Sequence, residues 1–365
     1  MSSRVVDANG DSIVLEEREL AVAHGALGWD FPEGEGDERI ETWPARGDVI
    51  RDEVTLCTGE AAGVRWRRES LREAWARGEV VLPPWVIHHA FGGDEVQSWQ
   101  VAPSVRMLPV RTPTLPPATH TNTFLVGADV FVLIEPAPVD PAEQDLLRRW
   151  VDDARKEGRR CEAVLATHHH HDHVGGASLA AELGVPLWAH EETASRVSAP
   201  VGRLLRDGER IALGEFALDV VFTPGHAPGH LCFVEPKSGT AIVGDMVAGV
   251  GTILVEPGEG DMSLYLDSLR KLRSVGARKM LPAHGGVIAD PAAWIDHYVA
   301  HRLAREAKVR AALTAEPQSV ETLVAVVYAD TPRALWGLAA LSLRAHLEKL
   351  VRDGDAVDDG GWRAR

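Results

Sequence analysis

Beyond residue 120 the chain alternates short apolar runs with polar breaks that contain glycine or proline. Thr123-Phe124-Leu125-Val126 and Val130-Phe131-Val132-Leu133-Ile134 are two such runs, and Gly127-Ala128-Asp129 between them predicts a β-hairpin. From Pro141 to Glu157 the apolar positions Leu146, Leu147, Trp150, Val151 and Ala154 recur at helical spacing. Asp140-Pro141 supplies a cap and a first-turn proline for that helix. Strands are predicted over residues 161–166, 185–189, 216–222, 231–234, 241–243 and 279–281, with helices over 177–183 and 263–275. Hairpins giving way to strand–helix alternation predict an α/β unit, a two-layered sheet core with helices outside.

The pattern changes at both ends. A long helical period covers residues 294–313, and beyond Pro317 three helices are predicted over 319–328, 332–345 and 347–351. Asp353-Gly354-Asp355 then turns the chain into a small hairpin that closes on Gly360-Gly361-Trp362. Three helices and a hairpin in about 50 residues fit a winged-helix module. Residues 1–100 are instead rich in tryptophan (Trp29, Trp43, Trp66, Trp75, Trp85, Trp99), which we read as core, and show little periodicity. One helix is expected over 70–77, with Ser70 as cap and Glu73 three residues on. The proline-rich Thr112-Pro113-Thr114-Leu115-Pro116-Pro117 marks the entry to the central unit. These breaks divide the chain into an accessory segment (1–103), a central unit (104–290), and a linker helix with its winged-helix-like module (291–365).

Composition sharpens the picture only in part. A chain of 365 residues is long for one core, and 45% hydrophobic with 25% charged residues is ordinary for a globular protein. No apolar run reaches the roughly 20 residues that span a bilayer, and with early acids Asp7 and Asp11 and no apolar core segment over residues 1–17 no signal peptide is expected. Cys57, Cys161 and Cys232 are far apart and odd in number, so we expect buried thiols in a reducing cytoplasm rather than disulfides. The net charge of −16 repels polyanions at long range. It is unevenly spread: residues 1–100 hold 10 basic and 20 acidic side chains, whereas 301–365 hold 10 and 9. A basic patch near the C-terminus is therefore compatible with the composition. An oligomeric state is not specified.

The chemistry concentrates at Thr167-His168-His169-His170-His171-Asp172-His173-Val174-Gly175-Gly176. Five imidazoles and a carboxylate at six consecutive positions follow a predicted strand, and these are the usual donors for zinc and similar ions. His168 and His170 alternate, so in an extended turn they share a side, with Asp172 and His173 following. His169 and His171 point to the other side. Three further strand ends offer donors beside glycine or proline: Thr223-Pro224-Gly225-His226, Val243-Gly244-Asp245, and Pro282-Ala283-His284-Gly285-Gly286. His230 is a weaker alternative to His226. Seven donors, His168, His170, Asp172, His173, His226, Asp245 and His284, are too many for one tetrahedral ion and suit two, with Asp245 as the bridge. Asp172 combines two compatible roles, ligand and proton shuttle. Arg302 and Arg305 on the linker helix read as a solvated face, the sharper alternative being a grip on an anionic group.

These four motifs, in this order, resemble the metallo-β-lactamase superfamily from about Leu108 to Val287, and the first is especially similar to the glyoxalase II branch. The resemblance implies an αββα fold of four layers. It also implies His168, His170 and His226 on one metal ion, Asp172, His173 and His284 on a second, and Asp245 bridging. Two zinc ions are expected, with manganese or iron as the other metals such sites accept. Ser268-Leu269, Tyr298 to Glu306 and the helical module after them resemble β-lactamase-like hydrolases that carry a winged helix, among them single-strand endoribonucleases and carrier-protein thioesterases. A hydroxide bridging two ions would attack an ester or thioester of a small molecule or carrier-bound acyl group; cleavage of RNA is the alternative, and a partner-binding scaffold with accessory hydrolysis the third. His170 stands where the oxygen-reducing di-iron relatives carry glutamate. A single-iron sulfur dioxygenase would leave several donors idle. In place of the family's usual aspartate after an early strand the chain has Ile134-Glu135-Pro136, which alters the support expected there. The stretch from Gly59 to Pro84 faintly resembles the end of Nudix-type domains, without the metal-binding Nudix box.

Overall fold

Strands whose two faces are both covered read as continuous apolar runs, and those whose second face meets solvent alternate. Both patterns occur in the computed structural model, which describes residues 98–365 apart from Pro116, Pro117, Thr119, Val250 and Pro332, together with four strands before them. Those four, β1 (Ser2–Asn9), β2 (Ser12–Arg18), β3 (Glu53–Thr58) and β4 (Ala62–Arg67), form one sheet in that order. Charged residues interrupt their apolar positions, so periodicity does not announce them. The helix expected over 70–77 and most of the Nudix-like stretch lie outside the described residues, as do the side chains of Trp29, Trp43, Trp66, Trp75 and Trp85.

The central unit begins with a meander of β5 (Trp99–Ala102), β6 (Val105–Arg111), β7 (His120–Gly127) and β8 (Val130–Ile134), each antiparallel to the next. The chain then crosses over through α1 (Pro141–Lys156) to β9 (Arg160–Leu165), which lies parallel to β8. Short helical turns α2 (His171–Val174) and α3 (Leu179–Glu182) lead to β10 (Leu187–Ala189), and α4 (Glu191–Ala194) leads to β11 (Val201–Leu204). The result is a seven-stranded sheet in the order β11-β10-β9-β8-β7-β6-β5. A five-stranded sheet faces it, β12 (Arg210–Leu213), β13 (Phe216–Phe222), β14 (Leu231–Glu235), β15 (Thr240–Gly244) and β16 (Lys279–Pro282), in sequence order. Helix α5 (Met262–Val275) connects β15 to the parallel β16.

Side chains from the two sheets meet in one core that includes Met107, Phe124, Val132 and Leu165 from the first and Leu218, Phe233, Ile242 and Leu281 from the second. Trp99, the one tryptophan of the accessory set with a described side chain, packs against it. On the outer face of the first sheet sit Leu147, Trp150, Val151 and Ala154 of α1. On the outer face of the second sit Tyr265, Leu269 and Leu272 of α5 with Ile295 and Tyr298 of α6 (Pro291–Ala312). Each fully buried large side chain contributes about 1.5–3 kcal/mol. The layers run αββα, as expected from the sequence.

The C-terminal module has its own core, Val309 and Leu313 against Leu323, Val327, Leu343, Leu347 and Leu350. It consists of the end of α6, α7 (Val320–Val327), a 3₁₀ turn (Arg333–Leu335), α8 (Trp336–Asp353) and the hairpin β17 (Ala356–Asp358) with β18 (Trp362–Ala364). The two helices expected over 332–345 and 347–351 are thus one helix. No breaker lies between Ala345 and Leu347, and Leu343, Leu347 and Leu350 continue a single buried stripe.

Candidate metal centre

Strands β8, β9, β13, β15 and β16 all end at one rim, where the two sheets come together. The turns after them carry Glu135, Thr167 to His173, His226, Asp245 and His284. Two of these turns depend on glycine. Gly225 has φ 129°, and a Cβ there would fall 2.1 Å from the Tyr265 nitrogen at the start of α5. Gly244 has φ 48°, and its Cβ would lie 2.6 Å from His230 Nε2. The histidine stretch is not wholly extended, because α2 begins at His171; its first turn places Asp172 and His173 beside His284.

All seven predicted donors converge. His168 Nε2 lies 3.0 Å from His170 Nδ1 and 3.3 Å from His226 Nε2, which makes one half of the centre. In the other half, Asp172 Oδ2 is 3.5 Å from His284 Nε2, and Asp172 Oδ1 is 3.8 Å from His173 Nε2. Asp245 reaches both: its Oδ2 is 3.5 Å from His226 Nε2 and from His173 Nε2, and its Oδ1 is 3.4 Å from His284 Nε2.

Outer contacts fix which ring nitrogen faces inward. His168 Nδ1 is 2.9 Å from Thr167 Oγ1, which donates its own proton to Glu135 Oε1 at 2.6 Å. His173 Nδ1 donates to the same Glu135 oxygen at 3.1 Å. His226 Nδ1 donates to the Leu254 carbonyl and His284 Nδ1 to the His120 carbonyl, at 2.7 and 2.9 Å. Four histidines therefore present Nε2, and partners of this kind orient metal-ligating imidazoles. Glu135 supplies the support that its departure from the family pattern put in question. It does so from a fully buried position at φ 65°, a backbone conformation unusual for a residue with a side chain. His230 is not among the converging donors: its Nε2 accepts from the Asp245 N–H at 3.1 Å, and its Nδ1 pairs with Thr223 Oγ1 at 2.9 Å. His169 bonds Glu259 at 2.6 Å, and His171 is exposed.

Several supporting residues carry no sequence pattern. Asn122 Nδ2 donates to the Pro282 and Gly285 carbonyls at 2.9 and 2.8 Å and so holds the His284 turn. Thr121 Oγ1 donates to the Asp172 carbonyl at 2.9 Å. The only hint in the sequence is a buried polar run, His120-Thr121-Asn122-Thr123, at the start of an apolar strand. Arg302 departs from its reading as a solvated residue and is 3% exposed. Arg305 binds the Val327 carbonyl and Asp330 and lies over the Tyr328 ring.

The electrostatics suit divalent cations. Burial, aided by the neighbouring imidazoles, holds His168 well below the ordinary histidine value and lowers His170 to about 2. Burial lowers His226 as well. These rings are neutral, the form that binds metal. Burial opposes charge on His284 and His173, but Asp245 and its neighbouring carboxylates outweigh it, raising His284 to about 10 and His173 well above its usual value. Conversely, Asp172 and Asp245 lie well below the carboxylate range: burial alone would raise them, and the facing imidazoles overcome it. Carboxylates that draw protons onto two imidazoles draw divalent cations equally, and such a cation displaces those protons. His173 Nε2 and Asp245 Oδ1 are buried without a hydrogen-bond partner, which fits donors reserved for an ion. The donor set therefore fits divalent metal ions.

Comparison with known proteins agrees. The pattern of the metallo-beta-lactamase superfamily matches residues 116–284, and that of the beta-lactamase associated winged helix domain matches 319–363. The beta-lactamase-like protein 2 homolog of Drosophila melanogaster is 30% identical over 251 residues, which cover 64% of this chain and 83% of the relative. Lactamase-like protein vrtG of Penicillium aethiopicum is 31% identical over 245 residues, 65% of this chain and 75% of the relative. The crystal structure of a metallo-beta-lactamase family protein from Thermus thermophilus superposes with a TM-score of 0.62 at 27% identity, covering 73% of this chain and all of that one. With the donor-bearing strand ends on one rim, family patterns matched in both modules and a relative 30% identical over 83% of its length, the chain belongs to the metallo-beta-lactamase superfamily of hydrolases and carries the winged helix domain associated with it.

Proposed function

We propose that the chain is a dinuclear zinc hydrolase that cleaves a carboxyl ester or thioester. The observation that carries this reading is Asp245, whose Oδ2 lies 3.5 Å from both His226 Nε2 and His173 Nε2 and whose Oδ1 faces His284, so that one carboxylate reaches both halves of a seven-donor centre. His168, His170 and His226 would hold one ion, and Asp172, His173 and His284 the other. Bound there, the ions acidify a water molecule and offset the charge that builds on the attacked carbonyl oxygen.

The chain's own groups do the rest. Asp172 is ionised and partly exposed at the edge of the centre, so it accepts the proton of the attacking water and returns it to the leaving group. Thr121 holds the main chain of Asp172 in place for this transfer. His230 grips the Asp245 backbone and keeps its carboxylate turned toward both halves.

Charge favours an acyl substrate over RNA. Arg305, Lys308, Arg310, Lys349, Arg352 and Arg363 of the C-terminal region each face a carboxylate, which offsets most of the region's positive charge and leaves Arg333, Arg344 and Arg365 as its exposed cations without an ion pair among the described residues. Small-molecule esters and thioesters, or acyl groups borne on a carrier protein, fit this surface. Cleavage of single-stranded RNA is the second reading, favoured by the winged-helix match alone. The setting we propose is the cytoplasm, where the buried Cys161 and Cys232 stay thiols. Among the described residues no helix is long and apolar enough to cross a membrane.

A thioester panel assayed beside single-stranded RNA, with His226→Ala as blank, tests the assignment. Turnover of thioesters that the blank abolishes is expected; cleavage of RNA alone would overturn the substrate class.

A further inference from the structure

His226 differs from His168, His173 and His284 in what holds it. The outer partners of His168, His173 and His284 come from the first sheet or from the loops that begin at its strand ends: Thr167, Glu135 and the His120 carbonyl. His226 is held instead from the segment that follows β15 of the second sheet. Its Nδ1 donates to the Leu254 carbonyl, in the irregular segment between β15 and α5. That segment is tied down by Arg302 of α6, whose Nη2 donates to the adjacent Ile253 carbonyl and, at 3.1 Å, to Thr252 Oγ1. The guanidinium also lies 5.4 Å from the centre of the Tyr265 ring. Among the described residues no carboxylate forms an ion pair with Arg302, so this buried charge is committed to the segment beneath it. A buried unpaired cation is costly to keep.

A second tie reaches the His226 backbone. Arg352 of α8 binds both carboxylate oxygens of Asp261. The Asp261 N–H donates to the Gly225 carbonyl at 2.7 Å, one residue before His226. Asp261 Oδ1 also caps α5, and Ser268 of that helix donates to the Pro224 carbonyl at 2.7 Å. One arginine from α6 therefore fixes the acceptor of the His226 ring, and one from α8 fixes the turn that carries it.

We infer that Arg302 is a positioning residue for His226, assisted by Arg352, so that the C-terminal helices set the metal affinity of one half of the centre. This inference rests on the reading of His226 as a metal ligand. Zinc alone, titrated calorimetrically into the metal-stripped 365-residue chain, tests it with the parent, Arg302→Met, Arg302→Lys, Arg352→Ala and His226→Ala. Arg302→Met is expected to weaken one of two binding events by about 10- to 100-fold, the scale for losing an outer partner of a ligand, and to leave the other within about twofold. His226→Ala should weaken the same event, and Arg302→Lys, which keeps a donor, should recover part of the loss. Unaltered binding in Arg302→Met beside a weakened event in His226→Ala removes the clamp and leaves the centre standing. Unaltered binding in His226→Ala removes the ligand assignment and the clamp with it. Should Arg302→Met lose the native circular dichroism, the half-exposed Arg352→Ala decides: a smaller weakening of the same event supports the clamp, and none overturns it.

Discussion

Glu135 is the residue whose removal most sharply tests how the centre is built. Its Oε1 accepts from Thr167 Oγ1 at 2.6 Å and from His173 Nδ1 at 3.1 Å, all within a fully buried environment. Glu135→Ala leaves two buried donors without an acceptor, at about 1–3 kcal/mol each, so we expect a loss of about 2–6 kcal/mol in stability. Glu135→Gln keeps an acceptor for both but puts a new amide N–H₂ where Oε2 lies buried and unpartnered, a single orphan worth about 1–3 kcal/mol. Because the residue sits at φ 65°, Glu135→Gly should recover about 1–2 kcal/mol relative to alanine. Each variant loses the negative charge behind His173, which lowers zinc affinity about 10- to 100-fold. Urea unfolding of the metal-stripped protein and calorimetric zinc titration read the two effects separately. An alanine variant that unfolds at the parent's urea concentration and binds zinc unaltered would show that Glu135 supports neither Thr167 nor His173.

Two further outcomes are expected. His230→Gln should keep the zinc content of the parent while turnover falls about 10- to 100-fold, because His230 supports Asp245 without joining the donors; loss of an ion, seen by metal analysis, would make it a ligand. Asp330 is lowered to about 2, burial opposing and Lys308 and Arg305 prevailing, so its ion pairs stabilise the fold above the ordinary value of 3.8 and stop doing so as pH falls toward about 2. Since its side chain is 44% exposed, Asp330→Asn should cost under about 1 kcal/mol at pH 7, and the gap between thermal melts of variant and parent should shrink as pH falls from 3.8 through about 2; a constant gap would contradict this.

The seven residues that converge on the rim were legible in the sequence because each follows a strand end, where an apolar run stops at glycine, proline or histidine, with Asp172 and His173 carried on into the turn α2. That signal is local. Their supports were not legible. Asn122 reaches the His284 turn across 160 residues, and Thr121 meets Asp172 only when β7 lies beside the histidine stretch. Glu135 was visible as a departure from a family pattern, but only its extra reach at a positive φ shows how it serves His173 and Thr167. Periodicity treated Arg302 as a surface residue, since a helix pattern does not reveal the loop that covers it. The module's last helix was read as two because Ala345-His346-Leu347 breaks the apparent stripe, whereas His346 is itself fully buried. Strands β5 and β6 went unread for the opposite reason: Arg106, Pro109 and Arg111 punctuate the apolar positions of β6.

Metal analysis of the zinc-reconstituted chain decides whether Asp245 bridges two ions in one centre. A bridged centre predicts close to two ions per chain in the parent, with Asp245→Ala loosening both. One tightly held ion, unchanged by Asp245→Ala, would contradict it.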